Sequence, residues 1–592
     1  MNNEQTLRLF DLARRQQELF PELAMFSHKV DGEWTPIYVN EFLETVNALS
    51  KGLIALGVQP QEKVALIADS SVEWHIMDFA IQQIGAIVVA IYPNISDSDY
   101  QYIFNDAEIK LCVTQTKNLY NRILGLESNI YTLKYVFCMD KQEDVRHWDE
   151  IKAIGVSVAD TLIAERSDRI LPTDLATLIY TSGTTGNPKG VMLSHSNIMY
   201  NVMSAREITP LQSYSRGLTF LPPCHAYERM VIYTYLYIGI TVYIAEGLDK
   251  IGQNMGEVKP HIMTAVPRIL EKVYEKIMKK GHELQGTKRK IFDWAVAVGE
   301  KYDPNPENRS FSYALKLAVA RKLVLNKWYQ ALGGKLVTVA SGSASLSPKL
   351  ARVLLAAGIP IYEGYGLTEA SPLIAVNHYI QGTRIGTVGP PVKYVEVKLA
   401  ADGEILVKGP NVMMGYYKNP EETAKTIQDG WLYTGDIGVL EEGRFIRIID
   451  RKKEMFKISG GKYVVPQPIE KKILESDFIE QVMVVGDGQK FASAFIVPNY
   501  NNLLDWAKSN LPEVSAMPRE EFLKQDVIVK KVNAEVRKAN QHFGNWEQIK
   551  RPYILRNEFT IENDELTPTL KMKRKVILSK YKKEFDAIYG EA

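Results

Sequence analysis

The sequence has little cysteine and no pair of cysteines at metal-binding spacing. Its three cysteines, Cys112, Cys138 and Cys224, lie far apart, which excludes a disulfide framework and a cysteine-based metal site. We expect reduced, mostly buried thiols in a reducing compartment. Cys224 stands beside His225, but no third member of a catalytic triad lies nearby, so a core thiol is the favoured interpretation.

The sequence also lacks net charge and long apolar runs. Lys and Arg total 71 and Asp and Glu total 70, so no global field attracts nucleic acid or an anionic membrane. The charged residues 1–15 contain no apolar signal-peptide core. The longest uncharged apolar stretch, 230–245, is too short to span a bilayer and predicts a buried helix followed by a strand. We expect a cytoplasmic protein that binds no nucleic acid. Loose association with the inner face of the membrane stays open, although no amphipathic anchor is evident.

The 592 residues exceed what one hydrophobic core organises, so two or more domains are expected. Short β-branched runs alternate with helical patterns in the first few hundred residues, for example at 64–67, 87–91, 111–114 and 135–138. This alternation predicts βαβ units. The fold class is therefore α/β: a large N-terminal domain with mostly parallel sheets covered by helices, plus a smaller, mobile α+β C-terminal domain.

The domain boundary is predicted from local composition. Residues 271–328 are helical and basic in pattern, broken at 303–306, and we interpret them as a solvated helix face. Asp402-Gly403 indicates a hairpin turn. The charged segment 451–454 suits an exposed hinge. We therefore predict a large domain at 1–450 and a small domain at 451–592.

The segment 180–190 combines glycines, hydroxyl side chains and Lys189 directly after an apolar strand-like run. Glycines let a backbone present N–H groups to an anion, and hydroxyls add donors. This composition favours a polyphosphate-binding loop over a flexible polar loop. It is not the P-loop of kinases and motor ATPases, because Pro188 replaces the second glycine and Gly190 follows the lysine.

Two further segments are weak signals by themselves. In 362–371, Glu369 replaces the third glycine of a dinucleotide fingerprint. An aromatic ring, a hydroxyl and a carboxylate beside glycines could instead stack on a base, hold a phosphate and bind Mg²⁺. In 431–438, Asp436 is expected in a glycine-flanked turn after a strand, where it could accept ribose hydroxyls. An aspartate that merely caps the turn is the simpler reading of that segment alone.

Taken in order, these three segments resemble the adenylate-forming superfamily of acyl-CoA synthetases, adenylation domains and luciferases. The resemblance extends to 341–346, which is similar to the family's adenine-side loop, and to 450–462, which is similar to its hinge and the loop after it. The segment 566–574 resembles the catalytic-lysine motif. Segments 221–229 and 266–274 look like the long-chain fatty acyl-CoA synthetase branch.

The resemblance implies an enzyme that uses ATP, Mg²⁺ and coenzyme A. It would convert a long-chain fatty acid to an acyl-adenylate and pyrophosphate, then transfer the acyl group to CoA and release AMP. The implied phosphate-binding residues are Thr181, Ser182, Gly183, Thr184, Thr185, Gly186 and Lys189. The implied adenine-side residues are Gly342, Ser343, Tyr365 and Gly366, with Thr368 at the α-phosphate, Glu369 and Thr184 at Mg²⁺, and Asp436 and Arg451 at the ribose.

The resemblance assigns the remaining roles to the small domain and to one histidine. Lys571 would bridge the carboxylate and the α-phosphate, Lys453 would be the hinge residue, and Gly460 and Gly461 would let the pantetheine arm pass. Leu570 stands where the family usually has glycine, so a shifted register would move the role of Lys571 to Lys573. His225 would position the carboxylate or gate the acyl pocket, or it is a satisfied, partly buried histidine.

Several alternatives stay open. A fatty acyl-AMP ligase that loads a carrier protein instead of CoA needs the same ATP site. An ATPase or kinase conflicts with the phosphate-loop spacing. A non-catalytic binding protein conflicts with the joint presence of Lys189, Glu369, Asp436 and Lys571. Chain-length preference and oligomeric state are not predicted.

Overall fold

The protein is described by a computed structural model that covers residues 6–181, 187–561, 563–567 and 571–590. Its chain forms two compact units. Unit 1 comprises residues 1–398, 406–433 and 440–447, and unit 2 comprises residues 399–405, 434–439 and 448–592. Unit 2 thus takes two short segments from before the predicted boundary at residue 450.

The first sheet of unit 1 has seven strands in the order β17-β8-β7-β4-β3-β5-β6. These strands are β3 (Lys63–Ile67), β4 (Ile87–Ile91), β5 (Leu111–Thr114), β6 (Tyr135–Cys138), β7 (Leu175–Thr181), β8 (Lys189–Ser194) and β17 (Gly415–Tyr416). Strands β3 to β7 pair in parallel, whereas β8 and β17 are antiparallel additions. The predicted parallel sheet is therefore confirmed.

The second sheet of unit 1 has eight strands in the order β14-β13-β12-β11-β9-β10-β1-β2. Its strands are β1 (Ala24–Val30), β2 (Glu33–Tyr38), β9 (Arg216–Thr219), β10 (Thr241–Ile244), β11 (Ile262–Ala265), β12 (Thr338–Ser341), β13 (Ile361–Gly366) and β14 (Leu373–Val376). Except for the antiparallel edge strands β2 and β14, neighbouring strands run parallel. Strand β10 follows a buried helix, as the apolar stretch 230–245 predicts.

Sixteen helices of six to seventeen residues belong to the described part of unit 1. They are α1 (Asp11–Leu19), α2 (Val39–Ala55), α3 (Val72–Gln82), α4 (Asp97–Asp106), α5 (Lys117–Gly125), α6 (Asp149–Ile154), α7 (Asp160–Ser167), α8 (His195–Ile208), α9 (Ala226–Ile238), α10 (Ile251–Val258), α11 (Pro267–His282), α12 (Gly286–Gly299), α13 (Phe311–Ala320), α14 (Asn326–Ala331), α15 (Pro348–Ala356) and α16 (Pro420–Thr426). A π-helical turn, Arg321–Leu325, joins α13 to α14.

The hydrophobic core of unit 1 is formed where helices pack against the two sheets. One cluster packs α4 and α5 against β3 to β7. Another packs α10 to α15 against β9, β11, β12 and β13. All three cysteines are buried and free, as predicted. Burial raises the pKa of the Cys224 thiol, which fits a core thiol.

Unit 2 has an α+β composition, as predicted. Its strands are β21 (Phe456–Lys457), β22 (Tyr463–Val464), β23 (Ile479–Val485), β24 (Ser493–Pro498) and β25 (Tyr553–Ile554). Its helices are α17 (Pro466–Ile473), α18 (Tyr500–Asn510), α19 (Pro512–Ser515), α20 (Arg519–Phe522), α21 (Asp526–Asn540), α22 (Arg574–Lys580) and α23 (Lys582–Tyr589). Strands β23, β24 and β25 form one sheet.

Besides β17, five strands lie in the described segment between β14 and β21. They are β15 (Glu396–Leu399), β16 (Glu404–Lys408), β18 (Ile427–Gln428), β19 (Trp431–Glu441) and β20 (Phe445–Arg451). The hairpin turn predicted at Asp402-Gly403 lies between β15 and β16, and Gly403 N–H donates to the carbonyl of Ala400. The local turn chemistry therefore predicted this connection correctly.

Candidate active site

Lys189 begins β8, directly across from the last residue of β7. Thr181 and Lys189 are register partners. Five of the predicted phosphate-binding residues lie outside the described residues. They are Ser182, Gly183, Thr184, Thr185 and Gly186. Lys189 forms an ion pair with Glu422 of α16, and the two side chains are 24% and 27% exposed. The lysine charge is therefore accessible and already faces a carboxylate.

Glu369 lies in a short 3₁₀ helix, Thr368–Ala370, directly after β13. The Tyr416 hydroxyl donates a hydrogen bond to Glu369 Oε1 at 2.9 Å. The Lys189 ammonium lies 5.2 Å from the centroid of the same tyrosine ring. Burial, reinforced by the charge of Glu369, raises the pKa of Tyr416, so its hydroxyl remains a donor. Tyr416 thus brings together Lys189 and Glu369, which lie far apart in the chain.

The segment that carries Tyr416 is fixed to the segment that carries Glu369. Met413 N–H donates to the Glu369 carbonyl at 2.9 Å, and the Asn411 amide donates to the Ala370 carbonyl at 3.1 Å. Asn197 of α8 donates to the Pro410 carbonyl at 2.7 Å. Tyr416, Glu422 and these asparagines were not predicted from the sequence. Asn419-Pro420, an N-cap followed by proline, was the one local signal that a helix begins beside them.

Gly366 has a structural reason to be glycine. A Cβ at this position would lie 1.7 Å from the carbonyl oxygen of Pro372, so no side chain fits. This close approach folds the chain back after β13 and places Thr368 and Glu369 at the strand end. Tyr365, on the same strand, is 8% exposed, and its stacking on adenine stays a prediction.

The predicted adenine-side loop follows β12. Ser341 pairs with Glu363 of β13, and the Glu363 carboxylate accepts a hydrogen bond from Leu346 N–H at 3.0 Å. The Tyr227 ring packs against Gly342, where an added Cβ would lie 3.2 Å from the ring. Ser343 adopts a positive φ of 67°. The loop is therefore held from both sides, by β13 and by α9.

His225 caps the N-terminus of α9. Its Nδ1 accepts a hydrogen bond from Tyr227 N–H at 3.1 Å, which leaves the proton of a neutral ring on Nε2. The ring is half-buried and lies edge-on to Tyr92, with centroids 6.5 Å apart. The histidine is thus a helix cap. Its roles toward a carboxylate or as a gate stay predictions.

A fully buried ionic cluster lies on α9, one turn beyond His225. Arg229 forms an ion pair with Asp78 of α3, and their side chains are 1% and 0% exposed. Arg229 also donates to Thr177 Oγ1 of β7 at 2.7 Å and to the Tyr233 hydroxyl at 3.0 Å. The cluster ties α9 to the strand that leads into the predicted phosphate loop. Sequence reasoning did not find it, because no local pattern marks a buried pair.

The structure corrects the predicted position of Asp436. The glycine-flanked segment was expected to form a turn after a strand, but Asp436 lies inside the continuous strand β19. Gly435 has a φ of +72°, which bends the strand locally without ending it. Asp436 is buried, and the Arg451 guanidinium lies 3.2 Å from its carboxylate. The two predicted ribose ligands are therefore neighbours in unit 2.

The other predicted residues of unit 2 lie on exposed turns or loops. Lys453 lies in the turn after β20, and Gly460 and Gly461 form the turn between β21 and β22. Lys571 is exposed, and its N–H donates to Thr567 Oγ1 at 3.0 Å. The Lys573 side chain pairs with Asp564. Residues 568–570 of the predicted lysine motif lie outside the described residues. The catalytic role of Lys571 stays a prediction.

The donor chemistry of unit 1 suits Mg²⁺ brought by a nucleotide. Within the described ranges, no group of three or more His, Cys, Asp and Glu side chains could hold a metal ion by itself. Mg²⁺ is commonly bound by one or two carboxylates together with substrate phosphates. Glu369, oriented by Tyr416, supplies one such carboxylate. The site thus fits a metal that arrives with ATP.

No helix in the described part of the chain is both long and apolar enough to cross a bilayer.

Two family models together match most of the chain. Residues 14–417 match the AMP-binding enzyme model, and residues 454–592 match the model of the AMP-binding enzyme C-terminal domain. The long-chain-fatty-acid–CoA ligase FadD15 of Mycobacterium bovis is 33% identical over 579 residues, which cover 96% of this chain and 95% of that protein. The human long-chain-fatty-acid–CoA ligase ACSBG2 is 29% identical over 602 residues, or 96% of this chain and 90% of its own.

The fold has a solved counterpart. The adenylation domain of a carboxylate reductase from Mycobacterium chelonae superposes with a TM-score of 0.77 at 20% identity, over 99% of this chain and 91% of that one. At this identity the likeness concerns the fold alone. The two family models and the 33% identical relative are matches in amino-acid sequence. The chain therefore belongs to the AMP-binding enzyme family.

Proposed function

We propose that this protein is an AMP-forming long-chain fatty acid:CoA ligase. The observation that carries the proposal is the 33% identity, over nearly the full length of both chains, to a protein named a long-chain-fatty-acid–CoA ligase. The substrates are a long-chain fatty acid, ATP and CoA. We further propose a cytoplasmic protein that works beside a lipid surface, because a long-chain fatty acid partitions into lipid.

The first half-reaction forms a bond between a carboxylate oxygen and the α-phosphorus of ATP. The bond from that phosphorus to the oxygen bridging the α- and β-phosphates breaks, and pyrophosphate leaves. Charge neutralisation around the phosphates is the main requirement of this step. Lys189 is suited to it, because its partly exposed charge can move from Glu422 to a phosphate oxygen. Bound Mg²⁺ would neutralise further phosphate charge, with Glu369 and Thr184 as its ligands.

Lys571 is proposed to bridge the substrate carboxylate and the α-phosphate during adenylation. Asp436 and Arg451 are proposed to hold the ribose, Tyr365 the adenine, and Thr368 the α-phosphate. In the second half-reaction the CoA sulfur bonds to the acyl carbon, and the bond from that carbon to the AMP oxygen breaks. We propose that unit 2 swings about Lys453 between the half-reactions and that the Gly460-Gly461 turn then admits the pantetheine arm.

Product analysis tests the function. With ATP, Mg²⁺ and palmitate we expect AMP and pyrophosphate to be released in repeated turnovers only when CoA is present. A single burst of pyrophosphate that CoA does not extend, but a carrier protein does, would replace the proposal with a carrier-protein loader. Release of ADP would contradict adenylation altogether.

The Lys571→Ala variant tests the two half-reactions separately. We expect acyl-adenylate formation to fall by about 10²-fold or more, because the developing charge at phosphorus loses its positive partner. Thioester formation from supplied acyl-adenylate and CoA should remain largely intact. Lys573→Ala is the matched control, since that lysine pairs with Asp564. Equal loss of both half-reactions in Lys571→Ala, or a larger effect in Lys573→Ala, would contradict the assignment.

A further inference from the structure

Helix α13 and the π-helical turn after it expose a stripe of large apolar side chains. The stripe consists of Phe311, Leu315, Val319 and Leu323, which are 87%, 61%, 43% and 43% exposed. A spacing of four residues places them on one side of the helix. The opposite side, with Leu317, Ala320 and Val324, is buried in the core. The helix is therefore apolar on both its covered and its exposed sides.

This arrangement differs from scattered surface leucines, which are normal in soluble proteins. Four large apolar residues in a row form a continuous patch, and such patches mark interaction sites. The helix is well anchored, because its buried side packs with Phe292 of α12 and with Trp328 of α14. A rigid helix that presents an apolar stripe is suited to contact another apolar phase.

The charge around the stripe is of one sign. No aspartate or glutamate occurs from residue 308 to residue 362. The basic residues in the same range are Arg309, Lys316, Arg321, Lys322, Lys327, Lys335, Lys349 and Arg352. Lys316 and Lys322 are exposed beside the stripe.

Two acidic side chains of neighbouring elements are paired with residues other than Lys316 and Lys322. On α12, Asp293 pairs with Arg289, and at the end of that helix Glu300 pairs with Lys349. Long lysine side chains can lie along an apolar surface while their ammonium groups reach a charged layer. An apolar stripe flanked by lysines is the arrangement that interfacial helices use on anionic bilayers.

We infer that the stripe of α13 docks this protein on an anionic lipid surface, with the apolar side chains among the acyl chains and the lysines at the headgroups. A second copy of the chain is a poorer occupant. A symmetric contact would bring Lys316 and Lys322 close to the same lysines of the other copy, with no acidic residue in the segment to compensate. If the proposed function holds, this surface is also the place where the protein collects a lipid-soluble acid.

Vesicle binding by the full chain tests the inference without ATP, CoA or fatty acid. The protein is sedimented with vesicles of phosphatidylcholine alone and of phosphatidylcholine mixed with phosphatidylglycerol. We expect binding to the anionic vesicles that weakens with added salt, and much weaker binding to the neutral ones. The double variant Leu315→Glu/Val319→Glu should bind anionic vesicles at least about tenfold more weakly, because it loses apolar burial and adds negative charge.

Two further variants separate the contribution of the apolar stripe from that of the lysines beside it. Val156→Glu makes the same kind of replacement at another apolar side chain, which is 80% exposed, and should bind vesicles as the unmodified protein does. Lys316→Gln/Lys322→Gln should lose the preference for anionic over neutral vesicles and keep the residual apolar binding. Wild-type binding by the stripe variant would overturn the inference. So would an absence of vesicle binding together with a stripe-dependent dimer in sedimentation velocity.

Thermal unfolding followed by circular dichroism serves as the folding control. The unfolding midpoint should be the same in all four proteins, because all the changed side chains are exposed. Absence of AMP release from ATP, CoA and palmitate in all four proteins would contradict the proposed function, while the vesicle result would still decide the docking inference.

Discussion

Unit 1 contains two ionic clusters that differ in their access to solvent. The difference indicates which cluster can bind a ligand and which one stabilises the fold. Lys189 and Glu422 are each about a quarter exposed. Arg229 and Asp78 are almost completely buried. A pair that water reaches contributes less stability than a fully buried one, so Lys189 can exchange its carboxylate for a phosphate more readily than Arg229 can leave Asp78. A buried pair cannot separate without stranding a charge. The Lys189–Glu422 pair is therefore suited to bind a phosphate. The Arg229–Asp78 pair is suited to hold α9 in place against α3 and β7.

Two adjacent buried residues of α9, Glu228 and Arg229, differ in the partners that their charges find. Arg229 forms an ion pair with Asp78. Its buried neighbour Glu228 instead accepts a hydrogen bond from the neutral hydroxyl of Thr219. Burial raises the pKa of Glu228 to about 7. Helix α9 therefore has two fully buried ionisable residues. Arg229 is charged, and Glu228 is readily protonated.

The largest effect is expected from Arg229→Ala. This change leaves Asp78 buried without its counter-charge, and we expect unit 1 to lose about 3–5 kcal/mol of unfolding free energy. Denaturant unfolding followed by tryptophan fluorescence measures the loss. The double variant Arg229→Met/Asp78→Leu is the control and should recover most of the stability, because both charges are removed together. If the single variant unfolds like the unmodified protein, the cluster has no positioning role.

A smaller, pH-dependent effect is expected from Glu228→Gln. The folded-state pKa of Glu228, about 7, exceeds the ordinary value of 4.5. The folded protein therefore binds this proton more tightly than the unfolded chain does, and the stability of the unmodified protein falls as pH rises from about 4.5 to 7. Glutamine cannot ionise. At pH 8 the variant should be more stable by up to about 3 kcal/mol, and at pH 4.5 the difference should be close to zero.

The measurement is the denaturation midpoint of both proteins across this pH range. Exposed Glu283→Gln is the control, and its curve should run parallel to that of the unmodified protein. A Glu228→Gln curve that is also parallel would contradict the contrast between Glu228 and Arg229.

The smallest effect is expected from Tyr416→Phe, beside the partly exposed pair of Lys189 and Glu422. Phenylalanine keeps the ring beside Lys189 and removes the hydrogen bond that orients Glu369. We expect binding of MgATP, measured by calorimetry, to weaken about tenfold, since hydrogen bonds to charged groups contribute more than neutral ones. Binding of ATP without Mg²⁺ should change less. Tyr417→Phe is the neighbouring control, and equal affinities in the two variants would show that Tyr416 does not orient Glu369.

Much of the fold could be predicted because its signals are local. The strands at 64–67, 87–91, 111–114 and 135–138 follow from β-branched runs, and the helix break at 303–306 follows from two prolines. Asp436 was misplaced because glycines on both sides indicate a turn, whereas pairing along the whole of β19 keeps the segment extended. Long-range pairing overrode the local preference there.

The candidate site was predicted residue by residue but not as an arrangement. The meeting of Lys189, Glu369 and Tyr416 depends on contacts between segments far apart in the chain, which no local pattern records. The basic region 271–328 was interpreted as a solvated helix face. In α13 the apolar residues lie on two sides, and only the packing of the other helices decides which side stays exposed.

The exposed stripe of α13 has a kinetic consequence. An enzyme held at a bilayer meets its acid by lateral diffusion in two dimensions, so its rate follows the mole fraction of fatty acid in the lipid and not the amount per volume of water. Adding inert lipid at constant total fatty acid would then slow the reaction by surface dilution. A protein without such a stripe would depend instead on the few monomers dissolved in the aqueous phase.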